Sequence, residues 1–129
     1  MRLLSFHKSV LWTVFIAILL FTPGDKFPDS KLFNIQHGDK IAHFILFLIL
    51  EFLLLLDAKI KPADNFFRKY GFIAFAFIYA IITEIVQSLL TISRDGDWFD
   101  LLADAAGAIC GWLIYFPFEK IRSRVLHQN

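Results

Sequence analysis

Asp39-Lys40-x-x-His43, Glu84-x-x-Gln87, Arg94 and Asp100-x-x-x-Asp104 set acids, bases, an imidazole and an amide into a 129-residue chain that is 57% hydrophobic. Asp39, His43, Glu84, Asp100 and Asp104 supply hard oxygens and one ring nitrogen, a donor set suited to a divalent metal such as Mg²⁺, Mn²⁺, Ca²⁺ or Zn²⁺. Lys40 and Arg94 could engage an anionic head group, Arg94 through a two-pronged contact with phosphate. Hydrolysis or group transfer would need His43 or Glu84 as general base, with Arg94 or a metal stabilising developing negative charge. These three are the candidate catalytic residues. Asp39, Lys40, Gln87, Asp100 and Asp104 are the candidate ligand-binding residues. No Ser or Cys nucleophile motif accompanies them, and Ser93 is the nearest hydroxyl. The same residues equally fit a recognition pocket without chemistry. They also fit a network in which Lys40 and Arg94 neutralise Glu84, Asp100 and Asp104 and simply hold helix ends together.

The elements that carry these residues are apolar runs near 6–22, 40–57, 70–90 and 98–118, bounded by charges, Pro or Gly. Each is close to the ~20 residues that cross ~30 Å of hydrocarbon as a helix. The sequence therefore predicts an all-α membrane protein, a single domain built as a bundle of four transmembrane helices. The first run also resembles the apolar part of a secretion signal. The "TPGDKFPDS" that follows it lacks a small-x-small cleavage pattern, so it reads as a retained anchor. Nine of the 13 Lys and Arg residues fall at the N-terminus, between the second and third runs, or at the C-terminus. By the positive-inside rule both termini are then cytoplasmic, with 23–39 and 91–97 on the outer side. Trp98 at the outer end of the last run, with Tyr115 and Phe118 towards its inner end, suits an aromatic belt. The first connection carries Phe27, Leu32, Phe33 and Ile35 among charges, which fits either a segment lying along the outer interface or an ordinary solvated loop.

With that topology the polar residues of three helices meet at one end. Glu84 and Gln87 are three apart; Asp100, Asp104, Gly107 and Gly111 form one stripe, as do Lys40, His43 and Phe47. A carboxylate facing lipid costs about 2.5–3.5 kcal/mol even on a lenient scale, so these stripes should turn inward. The small residues around Gly107-x-x-x-Gly111 suit close helix packing inside the chain, or an oligomer seam. Glu51 lies near mid-membrane, away from the cluster, where an ionised carboxylate is disfavoured; it is a candidate proton-path residue. Thr13, Thr22 and Tyr79 add little polarity to the spans, which argues against a monomeric channel. A net charge of +1 and the absence of any RNA or DNA motif argue against nucleic acid. Cys110 is the sole cysteine, so there is no internal disulfide and no thiolate metal cage.

In this order and on these runs, Asp39-Lys40-x-x-His43-Phe44, Glu84-x-x-Gln87, Arg94 and Asp100-x-x-Ala103-Asp104-x-x-Gly107 resemble the VanZ-like family of small bacterial membrane proteins. The matching motifs cover about residues 38–111. Members of that family usually carry Asn where this chain has Asp104, so this chain brings one more acid to the site. The resemblance implies a multi-pass protein of the bacterial cell membrane. The family takes its name from a protein associated with resistance to the glycopeptide teicoplanin, whose targets are cell-wall precursors outside the membrane. An outward site meeting the lipid bilayer, a phospholipid head group or a lipid-linked wall precursor is the corresponding expectation. The resemblance implies no particular reaction.

Overall fold

In the computed structural model, residues 6–22, 38–90 and 97–126 are described. They form four α-helices in chain order: α1 (His7–Phe21), α2 (Gly38–Asp57), α3 (Phe66–Leu90) and α4 (Trp98–Leu126). The four predicted runs are therefore the four helices. α3 begins four residues earlier than predicted and α4 continues eight residues later. Arg94, Ser93 and the apolar residues of the first connection lie outside the described residues.

Two helices, α3 and α4, are long and apolar enough to cross a membrane. Only 22% and 28% of their most apolar stretches are buried inside the fold, so this surface faces outward rather than forming a core. α1 has 15 residues, about 22 Å of helix, short of the hydrocarbon thickness. α2 has 20 residues but carries Asp39, Lys40, Glu51 and Asp57. The distribution of side chains is inverted relative to a water-soluble bundle. Ser9, His43, Glu51, Thr83, Gln87 and Asp104 are buried, whereas Ile45, Ile78, Ile82, Leu113 and Ile114 are about half exposed or more. An apolar surface of this extent around a polar interior marks a chain associated with a membrane.

The closest packing is between α2 and α4, and two glycines permit it. A Cβ at Gly107 would strike the Phe44 carbonyl oxygen and come within 3.1 Å of the Leu48 nitrogen. At Gly111 it would strike the Leu48 carbonyl oxygen and approach the Glu51 Cβ at 3.2 Å. The obstructing atoms are mostly backbone and cannot swing aside. The glycine stripe is thus packed against α2 of the same chain.

α1 is held across α2 and α3 by polar groups. Trp12 Nε1 donates to the Leu46 carbonyl (3.0 Å), Tyr79 Oη to that of Thr13 (2.7 Å), and Gln87 Nε2 to that of Leu20 (3.0 Å). At the start of α1, the Ser9 amide and hydroxyl both donate to Asp57 Oδ2, at 2.9 and 3.0 Å. Asp57 ends α2, where a negative charge is unfavourable; lying against the first turn of α1 offsets this, because that turn presents unpaired N–H groups.

α2 closes with Lys59 in the left-handed region (φ 53°), and the Ile60 and Lys59 amides donate to the Leu55 and Leu56 carbonyls. This is a Schellman ending with Lys in the position that glycine usually takes. Ile60 packs on Leu55 and Tyr115 there. Tyr115 is fully buried and donates to the Ile60 carbonyl at 2.8 Å. It therefore locks a turn inside the protein and is not part of the aromatic belt expected at the inner end of this run. Trp98, 78% exposed, keeps the surface position expected of it.

Candidate functional site

The polar end of the bundle is organised by the start of α4. Asp97 is its N-cap: Oδ1 accepts the Phe99 amide at 2.9 Å and the Asp97 carbonyl accepts the Asp100 amide at 2.9 Å. The Asp97 amide in turn donates to Glu84 Oε1 of α3 at 2.7 Å. The cap is thus built by two helices. Glu84 does for Asp97 what a capping-box glutamate usually does from within the same helix.

Lys40 of α2 closes the rim. Its ammonium meets Asp97 Oδ2 at 2.6 Å, Asp100 Oδ1 at 3.1 Å and Asp39 Oδ2 at 3.6 Å. The Lys40 hydrogen bond, aided by the Phe99 amide, holds the Asp97 carboxyl below the usual carboxylate range. With three acids around it, Lys40 is a saturated cation. In this arrangement it ties the ends of α2 and α4 together.

One turn deeper, His43 Nδ1 and Asp104 Oδ1 share a hydrogen bond at 2.9 Å, with the two side chains 4% and 0% exposed. The charges of Asp100 and Glu84 both reach this pair. Asp104 Oδ2 and Glu84 Oε2 are buried and have no hydrogen-bond partner among the described residues. Two buried acceptor atoms without donors are costly, on the order of 1–3 kcal/mol each. They mark a place suited to a proton, a hydroxyl, an ammonium or another donor.

The structure thus brings Asp39, Lys40, His43, Glu84, Asp100 and Asp104 to one end, as the spacing implied. Gln87 is nearby but its amide is used on α1. Arg94 lies outside the described residues. Among the described residues no group of three His, Cys, Asp or Glu side chains could hold a metal ion. Of the five proposed donors, Asp39 and Asp100 meet Lys40, Glu84 accepts the Asp97 amide through Oε1, and Asp104 meets His43 through Oδ1. Asp97 was not among the sequence candidates. Its signal was an Asp directly before an apolar run, the ordinary mark of an N-cap, which does not distinguish a cap from a site residue.

Glu51 stands apart. It is fully buried in the α2–α4 seam beside Gly111, and neither carboxyl oxygen has a partner. No described polar side chain links it to the Asp104 pair or to Tyr115, so the proton path considered for it has no continuous hydrogen-bonded route here.

A family model described as VanZ/LLP1 matches the chain over residues 3–121. The chain belongs to the VanZ/LLP1 family. That match covers α1 to α3, most of α4 and every residue of the polar cluster. No curated protein and no solved structure gives a significant match. Within this VanZ/LLP1 protein, the Asp at 104 acquires a definite consequence. An Asn there could still accept from His43 through its oxygen while placing an NH₂ group where the unpartnered Oδ2 now stands.

Proposed function

We propose that this VanZ/LLP1 protein is a four-span protein of the bacterial cell membrane with both termini cytoplasmic. Its polar cluster faces outward and binds the head group of a lipid-linked envelope component. The observation that carries this reading is the pair of buried, unpartnered oxygens, Asp104 Oδ2 and Glu84 Oε2, inside an otherwise satisfied network. Lys40 is fully engaged, so a phosphate would rely on Arg94, and the two free acceptors suit hydroxyl or amine groups of the head group. Binding at such a site would lie where glycopeptides meet wall precursors, consistent with an influence on glycopeptide susceptibility. No reaction is assigned. A structural role is favoured by the saturation of Lys40 and by the Asp97 cap, which by themselves explain why charges sit at three helix ends.

A thermal-shift titration separates the two. Wild type, Glu84→Gln and Asp104→Asn are placed in the same nanodiscs and mixed with a polyprenyl-phosphate-linked saccharide. Saturation a hundredfold above Kd stabilises the wild type by about 2.7 kcal/mol. The binding reading expects that shift to vanish in both variants while their ligand-free midpoints hold or rise. Ligand-free midpoints that fall by many degrees, with no shift in the wild type, would leave the structural role alone. Sidedness is read in a Cys110→Ser background, with single cysteines at 39 and 61 exposed in turn to an impermeant maleimide on intact cells. Labelling at 39 and not at 61 is expected.

A further inference from the structure

The opposite end of the bundle holds a groove of about 310 Å³ between the α2–α3 turn, the start of α3 and the middle of α4. Pro62, Lys69, Tyr70, Trp112, Leu113 and Phe116 line it. Its floor is aromatic: Tyr70 stacks on Trp112 (centroids 5.3 Å, 27°) and Phe116 meets Trp112 edge-on at 4.9 Å. The indole N–H is spent on the Lys69 carbonyl at 3.2 Å, so Trp112 offers the groove its apolar face. At the mouth, the Lys69 ammonium donates to the Pro62 carbonyl at 3.0 Å, leaving further N–H groups for another acceptor.

The charge around this mouth is one-sided. Each described acid at this end already has a partner. Asp57 is held by Ser9, Asp64 binds Arg68 at 3.1 Å, and Glu119 binds Arg122 at 2.7 Å. Lys59, Lys61 and Lys69 have no acid partner among the described residues, and Lys59 and Lys61 are exposed. An apolar slot with Lys69 in its lining, and Lys61 next in sequence to its Pro62, is complementary to a molecule with a hydrocarbon chain and an anionic head.

We propose that this groove is a binding site for an anionic phospholipid, with one acyl chain against Tyr70, Trp112, Leu113 and Phe116 and the phosphate on Lys69 and Lys61. The groove is large enough to take a stretch of one acyl chain. Tyr70, at the start of a membrane-crossing stretch, stands where aromatic side chains meet head groups. Ammonium groups beside an apolar slot attract the phosphates of anionic lipids. The site rests on membrane embedding but is independent of the polar cluster at the other end.

The test is native mass spectrometry of the full chain released from mixed micelles holding phosphatidylglycerol and phosphatidylcholine with identical chains at equal mole fraction. Wild type is expected to retain one phosphatidylglycerol with at least about a tenfold preference, equal to 1.4 kcal/mol. Lys61→Glu/Lys69→Glu should bring that ratio to about one. Leu113→Trp fills the slot from a half-exposed position without altering charge, and should remove retention of both lipids. Arg124→Glu, a charge reversal on the distal part of α4, should leave the preference intact. Equal retention of the two lipids by wild type overturns the proposal. So does an Arg124→Glu loss as large as that of the double variant, which would indicate diffuse attraction only. Full preference in Leu113→Trp likewise excludes the groove.

Discussion

Deleting one member of the His43–Asp104 pair should cost far more than deleting both. The two side chains are 4% and 0% exposed and meet at 2.9 Å, and Asp104 already carries one unpartnered oxygen. His43→Ala leaves Asp104 buried with neither oxygen paired. Removing one partner of a buried ion pair typically costs about 3–5 kcal/mol. For a domain of this size, 1 kcal/mol corresponds to a few degrees, so the midpoint should fall on the order of 10–20 °C. His43→Leu/Asp104→Leu abolishes the unpaired charge and the second orphan oxygen together, and replacing buried pairs with apolar residues is often neutral or stabilising. The double variant should therefore regain most or all of the loss. Circular dichroism melts of wild type, both single variants to Leu and the double variant, in one detergent, give the coupling energy. Single losses of only a few degrees, or a double variant no better than the worse single one, would refute a buried pair in a dry seam.

Three further outcomes follow from other parts of the molecule. Gly107→Ala drives a methyl into the Phe44 carbonyl, so α2 and α4 must separate; a loss of about 1–3 kcal/mol is expected in the same melts, and an unchanged midpoint would mean the helices do not approach so closely. Glu51→Leu removes a buried carboxyl with two unpartnered oxygens and should leave the midpoint unchanged or higher; a large loss would reveal a partner for Glu51. Because the Asp97 carboxyl lies below its ordinary value of about 3.9, its contribution is fully present above pH ~4 and is lost as pH falls through the depressed folded value. Asp97→Asn should accordingly flatten the acid limb of the stability profile below about pH 4 while leaving its slope near neutrality alone, and an unaltered acid limb would show that Asp97 is not held by Lys40.

The four helices were legible because long apolar runs closed by charge, Pro or Gly can satisfy their backbone in few ways other than as helices. The inward turn of Asp104, Gly107 and Gly111 was legible from their spacing of three and four, since charges avoid lipid and small residues admit a neighbouring backbone. The commitment of each polar atom was not. Lys40 and Asp100 lie 60 positions apart, and His43 and Asp104 lie 61 apart. Each had several candidate partners, and only the relative rotation and height of α2 and α4 choose among them. Tyr115 shows the same limit from the apolar side: by composition it suits a membrane interface, yet the register of α4 against the α2–α3 turn sends its hydroxyl to a buried carbonyl.

By itself, then, the sequence determined the helical class, the existence of a membrane-suited surface, the family, and which residue types share one end of the bundle. These are properties of local periodicity and composition, decided within a turn or two of helix. Tertiary structure alone decided that Lys40 is saturated by three acids, that Glu84 caps α4 through Asp97, and that Asp104 and Glu84 each keep a buried oxygen without a donor. Those are consequences of distance between segments remote in sequence, set by how closely two glycines let α2 and α4 approach.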